Sequence, residues 1–404
     1  MSRRWKLAVL ADDLTGALDT GACFAARGLP TVVLRHGQRL PDGAAAVVVI
    51  DTACRSSSAQ EAEQRTLQAF RTARQLGCNR FFLKTDSGLR GNIGACMDAL
   101  AHALQKSICF IPAHPREGRV TQKGVHFVQG VPVSQSVFGR DPLSPVRQDR
   151  VAALLRAQTG LPIAEDALPD EQRPGICVWS VQTEEEMTLA AARALSLWEH
   201  TVLSGCAGLA DALARQLCPA PSPVSCRAFA APALIVSGSV SAVALSQLQC
   251  LLLSGRARQA SFSPSAPEEA ARQAARLRAL NVHSVIAAAR TVSEAEAARY
   301  SALQTGMPLK AFARTVSQAL GAAAASTLRL SPFGTLLVIG GDTLQAVLDE
   351  LETEDLRIAS PLPGGAVRCE IRCAAGVLPL ISKSGSFGRE DTLLQLLTDI
   401  ENGK

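Results

Sequence analysis

One tyrosine stands in the whole 404-residue chain, and aromatic residues make up only 4% of it. That scarcity excludes the interleaved basic and aromatic platform on which single-stranded nucleic acid stacks its bases. Charge of one sign is equally scarce. The 41 lysines and arginines face 36 acids, and a net +5 is too dilute for a nucleic-acid or membrane-binding face. No apolar run approaches the roughly 20 residues of a membrane span, and the opening MSRRWKLAVLADD lacks the apolar core of a signal peptide. The twelve cysteines include no CxxC pair and no zinc spacing, Cys369 and Cys373 being the nearest approach. The expectation is a soluble, cytoplasmic protein with reduced thiols, whose partners are small molecules rather than nucleic acid or membrane.

The familiar phosphate loops are missing too. Gly16 to Gly21 has the glycine spacing of a Walker A loop, but Ala22 and Cys23 stand where Lys and Ser or Thr are required. No GxGxxG opens a helix, which argues against a dinucleotide dehydrogenase.

What is present is a globular pattern: 47% hydrophobic residues and 19% charged, over a length that suits two domains. In the first part, short apolar runs at 7–11, 31–34, 47–50, 81–83 and 108–111 alternate with helical periodicity at 15–27, 59–76 and 93–104. Such alternation predicts βαβ units and a mostly parallel, Rossmann-like sheet. Residues 115–145 are rich in Gly, Pro and basic residues and read as a long functional loop or small hairpin over the crevice. The proline-rich stretch at 218–232 reads as a linker. Beyond it the alternation resumes, with strands at 233–236, 284–287 and 335–339, a helix at 309–327, and a hairpin of 367–373 with 377–382. The fold class is α/β, with domains at 1–217 and 233–404.

Open α/β sheets bind ligands outside the carboxyl ends of their strands, and here those ends carry the chemistry. The first strand runs into Asp12-Asp13, the third into Asp51, the fourth into Lys84-Thr85-Asp86-Ser87, and the fifth towards His114. Asp12, Asp13, Asp51 and Asp86 are candidates to orient or deprotonate a hydroxyl or to hold Mg²⁺ for phosphoryl transfer; capping a helix or turn is the alternative, and it weighs more for Asp51 than for the Asp12/Asp13 pair. Arg90, before Gly91 and Asn92, can grip a carboxylate with two parallel hydrogen bonds. Lys84 either pairs with Asp86 or meets the substrate. His114 suits packing, while His126 is allowed a substrate contact. In the second domain, Ser237-Gly238-Ser239-Val240-Ser241 and Gly340-Gly341-Asp342-Thr343 lie at strand-to-helix turns, and Lys383-Ser384-Gly385 follows a hairpin. Three glycine turns offering backbone N–H groups favour a nucleotide there.

These residues carry a resemblance. ADDLTGALDTGACFAARG from Ala11, LKTDSGLRGNIGA from Leu83, the 112–145 loop, SGSVSAVALSQ from Ser237, GGDT from Gly340 and KSGSFGREDTL from Lys383 are similar, in order, to the motifs of the four-carbon acid-sugar kinases. The resemblance implies an N-terminal domain for the acid sugar and a C-terminal domain for ATP. It also implies transfer, with ATP and Mg²⁺, to the terminal 4-hydroxyl of a threonate, erythronate or 3-oxo-tetronate. It places ATP on Ser239, Ser241, Gly340, Gly341, Asp342, Thr343 and Gly385. On the sugar side stand Arg90, Lys84, Ser87, Asn92, Asp51, Arg55, Arg119 and His126, with Asp13, Asp12 and Asp86 as catalytic candidates. The chain departs from the family at Gly88, where Thr is typical, at Ala53-Cys54, where a more polar pair is usual, and at Ala244, where Thr is common. A non-catalytic sensor of acid sugars is the competing reading, and a homodimer is left open.

Overall fold

The computed structural model describes residues 6–35, 45–141, 144–170, 173–218, 220, 224–353, 355–374 and 376–403. The first five residues of the opening, 142–143 of the expected loop, and 219 and 221–223 of the expected linker lie outside the described residues. The chain divides into two compact units, with the division between Val224 and Ser225, inside the 218–232 stretch.

In the first unit β1 (Leu7–Ala11), α1 (Leu14–Ala25), β2 (Thr31–Leu34), β3 (Val47–Asp51), α2 (Ala59–Gln75), β4 (Arg80–Lys84), α3 (Ile93–Leu104) and β5 (Ser107–Ile111) follow one another. Next come three short strands, β6 (Arg119–Gln122), β7 (Val125–Val128) and β8 (Val131–Pro132). The unit ends with α4 (Val151–Arg156), β9 (Ile163–Glu165), β10 (Ile176–Val178), α5 (Glu184–Leu197), β11 (Thr201–Gly205) and α6 (Ala207–Leu217). The sheet order β2-β3-β1-β4-β11-β5-β10-β9 is parallel throughout. Strands covered on both faces read as unbroken apolar runs, as in Val47-Val48-Val49-Ile50, of which Val48 and Ile50 join Phe81, Leu100 and Phe110 in the core. Local chemistry sets the helix ends. Asp13 caps α1, a reciprocal Ser58–Glu61 box opens α2, and Gly77, at φ +79°, follows its end.

The stretch at 115–145, expected as a loop or small hairpin, contains a separate antiparallel sheet, β6-β7-β8. Its two tight turns, Lys123-Gly124 and Gln129-Gly130, place both residues of each pair at positive φ, as two-residue hairpin loops require.

The second unit contains β12 (Ala233–Ser237), α7 (Ala242–Leu253), β13 (Ala257–Ala260), α8 (Pro267–Ala279), β14 (His283–Ala287), α9 (Val292–Gln304) and α10 (Leu309–Leu330). It continues with β15 (Thr335–Ile339), α11 (Gly341–Glu350), β16 (Asp355–Leu362), β17 (Ala366–Cys373), β18 (Gly376–Lys383) and α12 (Thr392–Glu401). Strands β13-β14-β12-β15-β18 are parallel, and β17 and β16 extend the sheet antiparallel. Ile235, Leu248, Leu337, Ile381 and Leu397 centre its core. In this unit two of the described strands were not expected from the sequence. In β13 Arg258 and Gln259 interrupt the apolar run, and β16 carries Ser360-Pro361 at a register shift. Among the described residues no helix is long and apolar enough to cross a membrane, and all twelve cysteines are free.

Helices α10 and α11 pack through a glycine: a Cβ added at Gly321 would lie 2.7 Å from the backbone carbonyl of Ala346. In an exposed helix Gly→Ala stabilises by up to about 1 kcal/mol. Here overpacking reverses the sign, and Gly321→Ala should destabilise by about 1–3 kcal/mol in urea unfolding. A stabilised variant would contradict this packing.

Candidate functional site

In the first unit the chain leaves β1 towards β2 and β3 on one side and then crosses to β4 on the other, so β1 and β4 flank a topological switch point. The carboxylates that follow these strands meet around one side chain, Arg55. Its Nε and Nη2 donate to Asp12 at 2.7 and 2.8 Å, and its Nη1 and Nη2 donate to Asp13 at 2.6 and 2.7 Å. Asp86 Oδ1 lies 3.7 Å from Nη2. The backbone prepares this contact, because the amides of Cys54 and Arg55 both donate to the Asp12 carbonyl, at 3.0 and 3.1 Å. Arg55, expected on the substrate, thus holds the acid pair in this arrangement.

The three carboxylates are not equivalent. Burial pushes the Asp12 carboxyl up from the usual range, against the pull of Arg55 and Lys84. Burial acts on Asp86 as well, but there the Arg55 and Arg90 guanidiniums outweigh it and hold the carboxyl well below the usual range. A carboxylate so firmly ionised is an anchor rather than a proton acceptor. Asp13 also caps α1, accepting from Gly16 N at 2.9 Å, and its side chain is the most exposed of the three, at 27% against 12% and 9%. The ammonium of Lys84 lies over Gly16, where an added Cβ would collide with it and with an Asp13 carboxylate oxygen, so Lys84 ends at the start of α1. Asp51 stands apart. It is 2% exposed and accepts from Ala53 N at 2.9 Å, which is the turn role open to it from the start, and burial pushes its carboxyl up to about 7.

Arg90 donates to both oxygens of Asp86 at 2.8 and 3.0 Å and to Asp141 at 2.9 Å. The turn it closes carries Leu89 and Gly91 at positive φ. Asn92 donates to the carbonyls of Ser57 and Cys54 at 2.9 and 3.3 Å. Beside them Arg55, Ser57, Arg90, Asn92, Arg147 and Gln158 line an open hollow of about 340 Å³, at the small end of the range for small-molecule sites. From the small sheet, Arg119 donates to Ser87 Oγ. His126 is fully buried and both its ring nitrogens are engaged, with Ser87 O and Thr121 Oγ1, each at 3.0 Å. Its role here is to support the 86–92 turn rather than to face a ligand. Asp141 went unnoticed in the sequence, which signalled nothing to set it apart from other loop aspartates.

In the second unit β12 and β15 flank the corresponding switch point, and the glycine turns gather there. A Cβ at Gly238 would collide with Thr343 Oγ1, and one at Gly385 with Ser239 Oγ. Ser241 caps α7, accepting from Ala244 N at 3.1 Å, and donates to Gly385 O. Gly340, at φ +110°, opens α11 without any side-chain cap, leaving first-turn amides and the positive end of the helix dipole for an anion. Ser239, Ser241, Gly340, Gly341, Asp342, Thr343 and Gly385 therefore belong to one set of converging turns, with Asp342 exposed in the first turn of α11. Two residues without an expected role fix the last of these turns. Lys383, 1% exposed, donates to Ser384 O and Phe387 O, both at 2.9 Å, and burial lowers its ammonium to about 8. Gln247 donates to Phe387 O and Arg389 O at 3.1 and 2.8 Å. A glutamine amid the apolar face of α7 was the one sequence signal available. Among the described residues no group of three or more His, Cys, Asp or Glu is arranged to hold a metal ion.

Comparison with known proteins gives the same division. A family model described as a sugar-binding N-terminal domain matches residues 7–213, and one described as a nucleotide-binding C-terminal domain matches residues 234–393. A D-threonate kinase of Salmonella typhimurium is 30% identical over 98% of both chains. A 3-oxo-tetronate kinase of Pectobacterium atrosepticum is 28% identical, covering 96% of this chain and 97% of the relative. A D-erythronate kinase of Heliobacterium modesticaldum is 28% identical over 98% of both. For the fold, a crystal structure from Salmonella typhimurium LT2 aligns with a TM-score of 0.79 at 24% identity over 97% of this chain and 98% of that one. A Haemophilus influenzae structure aligns with a TM-score of 0.74 at 22% identity over 97% and 100%.

Burial lowers the imidazoles of both His114 and His126 to about 4. Between that value and about 6.5 the unfolded chain binds more protons than the folded one, so stability is present above pH 6.5 and is lost as pH falls towards 4. His126→Gln should flatten part of this decline in urea midpoints measured across the window. A variant with the wild-type slope would contradict a neutral, buried His126.

Proposed function

The chain belongs to the four-carbon acid-sugar kinase family, and from that premise we propose that it transfers the terminal phosphoryl group of ATP to the 4-hydroxyl of D-threonate, D-erythronate or a 3-oxo-tetronate. The observation that carries the assignment of roles is the Asp12–Asp13–Arg55 cluster beside the β1/β4 switch point. Phosphoryl transfer needs a carboxylate to orient or deprotonate the attacking hydroxyl, cations around the transferring charge, and in-line positioning. Asp13 is our choice for the carboxylate, because it is the most exposed member and Lys84 ends close by, over Gly16. Asp12 and Arg55 keep it oriented. The acid's carboxylate goes to the hollow beside Arg90, where it competes with Asp141 for Nη1 and is flanked by Asn92 and Arg147. Arg119 and Ser87 close the sugar side.

In the second unit the turns fit a triphosphate, since Gly238 and Gly385 let the Thr343 and Ser239 hydroxyls close in on the neighbouring turns, where an added Cβ would strike them, and α11 begins uncapped with its first-turn amides on offer. Ser239, Ser241, Gly340 to Thr343 and Gly385 are the residues we assign to it. Mg²⁺ needs only one or two carboxylates when it arrives on phosphate oxygens, and Asp342 is the carboxylate we assign to it. When bound it neutralises charge developing on the transferred group. Association as a homodimer remains compatible with this reading and is no part of it.

ADP release on adding each of the three acids tests the activity directly, and release with none of them would refute it. Asp13→Asn should lower kcat by about 10²–10⁴ with ATP KM unchanged, whereas Asp12→Asn should cost less. The reverse ranking would exchange their roles. Gly385→Ala should raise ATP KM by about tenfold, the equivalent of about 1.4 kcal/mol, and leave the acid's KM unchanged.

A further inference from the structure

Phe138 follows β8, and its ring lies on the backbone of Gly88: a Cβ added at Gly88 would stand 2.5 Å from ring atoms Cγ and Cδ1. Any side chain at position 88 would displace the ring. The same ring meets two cations, with Arg90 Cζ 5.0 Å and Arg119 Cζ 5.3 Å from its centroid. Both fall inside the range of about 6 Å within which a guanidinium is drawn to an aromatic face. These are the arginines that grip the 86–92 turn, Arg90 through Asp86 and Arg119 through Ser87. The backbone of Phe138 is itself tied down, its amide donating to Ser136 Oγ at 3.2 Å and its carbonyl accepting from Val146 N at 3.0 Å.

We propose that Phe138 is a positioning residue for acid-sugar binding: one ring fixes the guanidiniums of Arg90 and Arg119, and Gly88 is the glycine that admits it. The proposal rests on the reading that a substrate carboxylate is held beside Arg90. A guanidinium stacked on a ring keeps its in-plane N–H donors available for a carboxylate, and it loses the side-chain freedom that would otherwise have to be lost on binding. Position 88 and position 138 thus act as a pair that shapes the acid side of the pocket. Neither residue needs to touch the reacting atoms.

The test compares the full-length wild type with Phe138→Leu, Phe138→Tyr and Gly88→Ala. Each is titrated calorimetrically with D-threonate, D-erythronate and a 3-oxo-tetronate, and the KM for acid and for ATP is measured separately. Leucine fills most of the space but has no aromatic face. Phe138→Leu should therefore raise the acid's Kd and KM by about tenfold, with kcat and ATP KM unchanged, while Phe138→Tyr keeps wild-type values. Gly88→Ala, whose methyl group pushes the ring away, should match Phe138→Leu. A wild-type acid KM in Phe138→Leu overturns the proposal, and so does a Phe138→Tyr enzyme as impaired as Phe138→Leu. If Phe138→Leu shows no folding transition, Gly88→Ala decides, and an unchanged acid KM there overturns it. A wild type that binds none of the three acids overturns the underlying reading and this proposal with it, whereas acid binding that survives Phe138→Leu overturns this proposal alone.

Discussion

A single guanidinium makes the acid cluster of this protein feasible. Asp12, Asp13 and Asp86 leave two adjacent strands at one switch point, and three carboxylates so close, with little water around them, would repel one another and resist ionisation. Arg55 removes the conflict by binding Asp12 and Asp13 through paired hydrogen bonds and standing 3.7 Å from Asp86. Burial alone would lower its own pKa, but the surrounding carboxylates outweigh burial and raise it, so its charge is permanent. Everything downstream depends on that permanence. Asp13 is held in one orientation, Asp86 stays ionised to fasten Arg90, and Arg90 faces the hollow. Removing one partner from such a buried ion pair typically costs about 3–5 kcal/mol, because the other charge is left uncompensated.

The second unit answers to a different constraint, how closely its glycine turns can pack against one another. Gly238 and Gly385 sit where any side chain would strike Thr343 or Ser239, and Gly340 takes a φ of +110° that places the start of α11 at the strand end. The cluster of the first unit is thus built from charged side chains, and that of the second from glycine turns, hydroxyls and an uncapped helix start. That contrast suits the two substrates proposed, a short acid with several hydroxyls and an anion of high charge. Lys383 and Gln247 belong to neither role. They hold the carbonyls of the 384–389 turn and keep Gly385 in register with Ser239.

Much of this could be read from residue order alone. Apolar runs such as Val47 to Ile50 announce parallel strands because both faces of the sheet are covered, and the polar residues directly after them fall at the crevice by geometry. The glycine turns were legible for the same reason. Less legible was what each polar side chain does, since that depends on partners distant in sequence: 43 residues separate Asp12 from Arg55, and 51 separate Arg90 from Asp141. Asp51 and Asp13 look alike in the sequence, yet one closes a turn in the interior and the other stands at the crevice. A small hairpin was one of two readings of 115–145, and the third strand of β6-β7-β8 went unread because its turns are built from Lys-Gly and Gln-Gly rather than the stronger Asn-Gly signal. Phe138 gave no sign at all, because its meaning lies in the missing side chain at Gly88.

The most direct test of this account replaces Arg55 with lysine, which keeps the charge and removes the fork that binds two carboxylates at once. Turnover of the preferred acid and calorimetric binding of ATP would be measured on the same folded preparation. The account requires kcat to fall by about tenfold or more while ATP affinity is unchanged, because only the orientation of the acid pair is lost. An Arg55→Lys enzyme that turns over at the wild-type rate would show that the fork does not orient the acid pair, and the account would fail.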